Sequence, residues 1–271
     1  MPLIIDACFA QHQGDRKEQQ DRVAIMPHPR VKGVALAVVA DGMGGHTGGS
    51  LAAEQVVHTA KQNLANFGPS EESPQYMLEN SMREAHTMIK ASRFMNEKEP
   101  HSTAVMLLVQ PGKVSWGHCG DSRMYRFRGD RLVTRTIDHS YVEHLLATGK
   151  ITPEQAEHHP HKNVLLTSLG GSEEPKFDYG EATDVADGDS FVLCSDGLWA
   201  YFSDAELGGV IAAFSAREAS ETLINRARER GQGTGDNCSL AIVKFKEKPA
   251  EKPKLPPGFK PRPGFPPLDQ K

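Results

Sequence analysis

The sequence offers no paired cysteines, no long apolar run and no excess of positive charge. Its four cysteines, Cys8, Cys119, Cys194 and Cys238, form no Cys-x-x-Cys pair, which excludes a zinc knuckle and a redox motif. Three of them lie in or beside apolar runs and read as small buried hydrophobes in a reducing compartment. The longest apolar runs, such as 34–40, are far too short to cross a bilayer, so no membrane span is expected. The first residues carry no basic region and meet Asp6 at once, so no secretory signal is read and a cytoplasmic protein is expected. A formal net charge of −4 argues against a nucleic-acid binder, which needs a basic surface. What the chain does have is length and apolar content. Its 271 residues, 38% hydrophobic and 24% charged, suffice for a sizeable core.

Composition changes near residue 246. Residues 247–271 hold eight prolines and two Pro-Gly-Phe repeats, with no periodic apolar pattern. Such a segment cannot form a packed core and is expected to be extended or disordered. Its net charge of +3 leaves −7 on residues 1–246. It reads either as a solvated extension or as a docking segment for a proline-recognising or acidic partner. The expected organisation is one domain over 1–246 and a Pro-rich tail over 247–271.

Strand-like runs occupy 3–10, 34–40, 103–109, 113–118, 124–127, 131–134, 190–194 and 239–245. Short turns join those between 103 and 134, which predicts one antiparallel meander. Three stripes at helical spacing separate the strands: Ala52, Val56, Ala60 and Leu64; Leu78, Met82, Ala85 and Ile89; Ala216, Ala219, Leu223 and Ala227. Between 138 and 170 the pattern differs. Thr152-Pro153-Glu154-Gln155 has the spacing of a capping box with proline at the first helical position, and 141–147 suits another short helix. Short helices inserted between strands suggest an excursion that gates a site. Trp116 and Trp199 read as core aromatics at sheet ends.

Two buried-strand runs stop at an Asp-Gly pair: Val38-Val39-Ala40-Asp41-Gly42 and Leu193-Cys194-Ser195-Asp196-Gly197. Each strand delivers its last side chain rigidly to a sheet end, and the glycine lets the backbone turn and approach a ligand. Gly235-Asp236-Asn237 precedes a strand instead, and in an antiparallel sheet a strand's start lies beside its neighbour's end. Asp236 is therefore expected to meet Asp41 and Asp196. Asp121 sits in the turn after 113–118. A lone Asp-Gly is an ordinary turn; the combination is what points to chemistry. Carboxylates gathered in one place repel unless cations neutralise them. Oxygen ligands without cysteine or clustered histidine favour Mg²⁺ or Mn²⁺. Two such ions about 3.5–4 Å apart can activate water for in-line attack on phosphorus.

The ordered set Gly14-Asp15-Arg16-x-x-x-Gln20-Asp21, Asp41-Gly42-Met43-Gly44-Gly45-His46, Gly120-Asp121-Ser122-Arg123, Ser195-Asp196-Gly197-Leu198-Trp199 and Gly235-Asp236-Asn237-Cys238-Ser239 resembles the metal-dependent protein phosphatases of type 2C, in their bacterial form. The resemblance covers about residues 5–246. It implies an α+β fold, a four-layer αββα sandwich of two central antiparallel sheets flanked by helices, with a small helical flap at 138–170. It implies hydrolysis of phosphoserine and phosphothreonine in proteins by direct attack of a metal-bridging water, with no phosphoenzyme. It implies two Mn²⁺ or Mg²⁺ ions, with provision for a third, and phosphoprotein partners opposed by a Ser/Thr kinase. A monomer is expected.

By the same resemblance, Asp41 bridges both metals, Asp196 and Asp236 complete the first, and the Gly42 carbonyl meets the second. Asp121 with Asp196 offers the third site. Asp21 orients metal-bound water, Arg16 binds phosphate through its planar fork, and His46 is the general acid. Gln20 stands where many members carry glutamate, and Ser168 where the flap is expected to carry arginine. Two other readings of the same residues are a phosphatase-like scaffold that binds without catalysis and a hydrolase of a different phosphoester.

Overall fold

The computed structural model describes residues 3–44, 47–93 and 99–248. Along the chain come β1 (Leu3–His12), β2 (Arg22–Pro27), β3 (Ala35–Ala40), β4 (Gly42–Met43), α1 (Thr47–Asn66), α2 (Pro74–Ser92), β5 (His101–Ser102), β6 (Ala104–Gln110) and β7 (Lys113–Cys119). Then follow β8 (Arg123–Arg128), β9 (Arg131–Arg135), α3 (Tyr141–Ala147), α4 (Pro153–Glu157), β10 (Asp178–Ala182), β11 (Asp189–Cys194), α5 (Asp196–Trp199), α6 (Asp204–Ala213), α7 (Ala216–Gly231) and β12 (Cys238–Glu247).

Two five-stranded antiparallel sheets stack face to face, one in the order β1-β12-β11-β8-β9 and the other β10-β7-β6-β3-β2. Helices α1 and α2 cover the second sheet and α6 and α7 the first. The expected four-layer sandwich is therefore present. Alternation within each strand explains the layering. In β3, Leu36, Val38 and Ala40 face α1 and α2, while Ala37 and Val39 face the opposite sheet, where they meet Phe191, Leu193 and Val243. Both faces are covered, so central strands read as unbroken apolar runs. The three helical stripes are buried as their spacing predicts.

The meander expected over 103–134 is in fact two hairpins in different sheets. β6 pairs with β7 in one, β8 with β9 in the other. The chain crosses between sheets at Gly120-Asp121-Ser122. Gly120 makes this crossing at φ +98°, and a Cβ there would stand 2.7 Å from the Thr103 side chain. Only glycine tolerates both conditions. Cys119, Cys194 and Cys238 are buried and all four cysteines are free, Cys8 being half-buried. β12 reaches Glu247, one residue past the expected domain end; residues 249–271 of the Pro-rich tail lie outside the described residues. Among the described residues no helix is long and apolar enough to cross a membrane.

Candidate metal centre

β3 and β11 end side by side across the sandwich, and β12 starts beside the end of β11, its antiparallel partner. That arrangement carries Asp41, Asp196 and Asp236 to one end of the molecule. With Asp121 they line a single cleft of 580 Å³, together with Arg16, Gln20, Gly42, Met43 and Asn237. Asn163 and Leu165, from the inserted segment between β9 and β10, close one side.

Each aspartate is held through its backbone. The Asp41 N–H donates to Thr103 Oγ1 (3.0 Å), and its carbonyl accepts from Thr103 N–H (2.8 Å) and Ser102 Oγ (3.1 Å). The Asp196 turn is fixed by Ser195, whose N–H donates to the Ser239 carbonyl (3.1 Å) while its Oγ accepts the Ser239 N–H (3.0 Å). The Asp236 loop is stitched to the N-terminal loop. Gly235 N–H donates to Asp15 Oδ2 (2.8 Å), and Asp15 N–H to the Gly235 carbonyl (2.9 Å). Asn237 completes the stitch. Its Oδ1 accepts the Gln20 N–H (2.7 Å), and its Nδ2 donates to the carbonyls of Gln13 (2.7 Å) and Glu18 (3.0 Å). The carbonyl of Asp121 accepts Nε1–H of Trp199 (2.9 Å), whose ring carries the Arg123 guanidinium at 3.5 Å.

The electrostatics of the cleft suit a cation. Burial, then the charges of Asp21, Asp196, Asp121 and Asp236, push the Asp41 carboxyl well above the usual carboxylate range. Burial and Asp196 push Asp121 up to about 8, and burial and Asp236 push Asp196 up to about 6. Asp196 Oδ1 is buried with no hydrogen-bond partner, which leaves a lone pair for a ligand to satisfy. The balancing cation seen here is Arg16, whose Nη2 lies 2.5 Å from Asp236 Oδ2. The four aspartates, a buried orphan oxygen and, among the described residues, no cysteine or histidine on the cleft wall fit a hard divalent ion.

The sequence-derived residues divide into three groups. Asp41, Gly42, Asp121, Asp196, Asp236 and Arg16 meet at the cleft, where Arg16 pairs with Asp236 instead of standing free for phosphate. Asp21 does not line the cleft. It is fully buried beneath, accepts Ser195 Oγ–H at 2.7 Å, and burial pushes it up to about 7. Gln20, its neighbour, faces the cleft instead. His46 lies outside the described residues. Asn237 and Trp199 were assigned no role at the site from sequence. The Gly-Asp-Asn run hinted at Asn237 and the Asp-Gly-Leu-Trp run at Trp199, but nothing hinted at Trp199's partner Asp121, 78 residues away.

Aspartates converging at one end of two stacked antiparallel sheets, each backed by helices, define a metal-dependent phosphoesterase of αββα architecture. The sequence profile described as Protein phosphatase 2C matches residues 10–237. The protein phosphatase PhpP of Streptococcus pneumoniae is 32% identical over 229 residues, covering 81% of this chain and 89% of that protein. The serine/threonine phosphatase of S. agalactiae superposes with a TM-score of 0.81 at 28% identity, covering 90% of this chain and 100% of that one. The catalytic domain of the phosphatase PstP, solved with two manganese ions, gives 0.75 at 28% identity, covering 91% and 100%. The chain belongs to the protein phosphatase 2C family.

Proposed function

We infer that this chain is a metal-dependent protein serine/threonine phosphatase whose working centre is the aspartate cleft. The observation that carries this reading is the convergence of Asp41, Asp121, Asp196 and Asp236, from four distant chain segments, on one cavity. Asp41, Asp196 and Asp236, with Gly42, would hold two Mn²⁺ or Mg²⁺ ions, and Asp121 with Asp196 a third. When bound, such ions polarise phosphoryl oxygens and acidify water. No serine, threonine, cysteine or histidine lines the cleft among the described residues, which favours water over a hydroxyl, thiol or imidazole nucleophile. Arg16 stands at the rim with a side chain 61% exposed, and its planar fork suits a phosphate dianion once Asp236 no longer needs its charge. Gln20 faces the cleft and can orient water through its amide. Asp21 acts one layer back, through Ser195, on the Asp196 turn. His46 is the proposed general acid. An opposing Ser/Thr kinase, phosphoprotein substrates and a monomeric state complete the reading.

A scaffold that binds without catalysis would have little use for four intact aspartates. A hydrolase of small phosphoesters shares the same core and differs only in what the groove around it admits. The purified chain with Mn²⁺ is expected to hydrolyse a phosphothreonine peptide and an aryl phosphate faster than a nucleotide, and to stop in EDTA. Asp41→Asn is expected to lose at least ~10³-fold in turnover, the scale of removing a principal electrostatic group, with an unchanged circular dichroism spectrum. Undiminished turnover in that variant would reject the site; a preference for the nucleotide would reject the substrate class.

A further inference from the structure

Outside the cleft, His118, His139 and Asp178 form the one group of three among the described residues whose candidate ligand atoms all lie within 4.8 Å of one another. Their hydrogen bonds speak against a metal there. His139 Nδ1 accepts the Gly120 N–H at 3.2 Å, so the ring proton sits on Nε2, which stands 3.0 Å from Asp178 Oδ2. A ring that accepts at one nitrogen and donates at the other has no lone pair left to ligate. The His118 ring stacks on it, centroids 4.6 Å apart and planes 20° apart, so the in-plane lone pairs of the two rings run side by side and do not converge.

The same bonds aim at the cleft. His139 grips Gly120 twice: its ring accepts the Gly120 N–H, and its own N–H donates to the Gly120 carbonyl at 2.9 Å. The next residue is Asp121. Thr103 fills the far side of Gly120, and Trp199 holds the Asp121 carbonyl. The turn is thus fixed from three directions, and the imidazole is the one that needs a particular tautomer. Asp178 supplies it by accepting Nε2–H. Asp178 is held below the usual carboxylate range, burial opposing and the bond from His139 and the nearby charge of Lys176 favouring the ionised form. A histidine oriented by a carboxylate to steady a ligand-bearing turn is an outer-shell arrangement of the kind that tunes metal sites.

We propose that His139, oriented by Asp178, is a positioning residue for Asp121 and thereby sets the affinity of the divalent-cation site to which Asp121 contributes. This rests on the reading of Asp121 as a metal ligand given above.

Mn²⁺ titration calorimetry on the full chain tests it with four proteins: the unmodified chain, Asp121→Asn, His139→Ala and His139→Asn. Asp121→Asn is expected to abolish one class of Mn²⁺ site. His139→Ala should weaken that same class about 10–100-fold and leave the Asp121-independent sites unchanged. His139→Asn, whose amide oxygen can stand where Nδ1 stands, should recover most of the loss. An His139→Ala isotherm that superimposes on the unmodified one, or one in which every site weakens equally, overturns the proposal. So does His139→Asn behaving like His139→Ala. An Asp121→Asn isotherm identical to the unmodified chain overturns the Asp121 assignment and the proposal with it; loss in Asp121→Asn without loss in His139→Ala overturns the positioning role alone. Should His139→Ala fail to fold, Asp178→Ala, at a half-exposed position, frees the ring to reorient. It should weaken the same site class, and an unchanged isotherm there counts against the proposal.

Discussion

Gly42 sits so close to helix α1 that a Cβ built on it would stand 1.9 Å from the Gly49 carbonyl oxygen and 2.8 Å from that of Gln20. Both contacts are backbone, so neither can rotate aside. Gly42→Ala must push α1 or the Gln20 loop away from the cleft, a strain of about 1–3 kcal/mol. We expect it to lower the melting temperature by several degrees and Mn²⁺-dependent turnover at least tenfold (~1.4 kcal/mol in the barrier). Turnover equal to that of the unmodified chain would show that the turn tolerates a side chain. At this scale the aspartates were legible in the sequence because strand-end Asp-Gly pairs in a fixed order carry their own signature. Asn237, Trp199 and His139 were not, for a common reason. Each acts by hydrogen bonds to backbone groups that only the fold brings near, as with Asn237 and the carbonyl of Gln13, 224 residues away. Asp21 was legible as part of a motif, but its depth was not. Both residues lie in the loop before β2, where no strand alternation announces which side a residue takes; Gln20 takes the cleft-facing place and Asp21 is fully buried.

Among the elements, the inserted helices are the least anchored. α3 begins at Ser140, whose side chain accepts Glu143 N–H, and α4 at Thr152, where both bonds of a capping box form with Gln155. Backbone bridges from Ser140 to Leu165 and from Ser102 to Leu169 tie the segment down. α4 buries none of its five residues, so its order depends on the cap. Its Ala156 and Glu157, with His158, line a 720 Å³ groove that shares Asp196 and Asn163 with the aspartate cleft. Thr152→Ala removes about 1 kcal/mol of capping. Faster amide exchange over 152–158 is expected without a change in melting temperature. KM for a phosphoprotein should rise while turnover of an aryl phosphate holds. Equal effects on both substrates would show that the segment does not discriminate between them. The capping box was readable from four residues. β2, β10 and α6 were missed. β2 and β10 are sheet edges with partial burial, and β10, Asp178-Tyr179-Gly180-Glu181-Ala182, has the composition of a turn. α6 carries two glycines and little amphipathic contrast. Tertiary pairing makes these elements, and no local pattern announces it.

For the whole molecule, the buried acids make stability a function of pH and metal. Burial and mutual repulsion raise Asp41, and bring Asp21 to about 7, Asp121 to about 8 and Asp196 to about 6, all above the unfolded carboxylate value of about 4. Between those limits the folded chain binds more protons than the unfolded one, so stability falls as pH rises. The metal-free protein should therefore melt highest near pH 5 and lose stability toward pH 8. Mn²⁺, which replaces those protons, should reverse the slope and release protons on binding. A metal-free melting temperature that is flat or rises over that range would contradict the crowding of charge described here. The four layers themselves were foreseeable from the family resemblance, with which the helical stripes agree. The division of one apparent meander between two sheets was not, because the crossing depends on Gly120 meeting Thr103.

β12 begins at the cleft and runs ten residues to its pairing of Glu247 with Leu3, about 31 Å away at the rise of an antiparallel strand. Lys248 thus stands at the pole opposite the aspartate cleft. A fluorophore or surface tether placed at that residue would leave substrate entry unobstructed. A protein captured there would sit behind the enzyme, leaving its mouth open to other substrates.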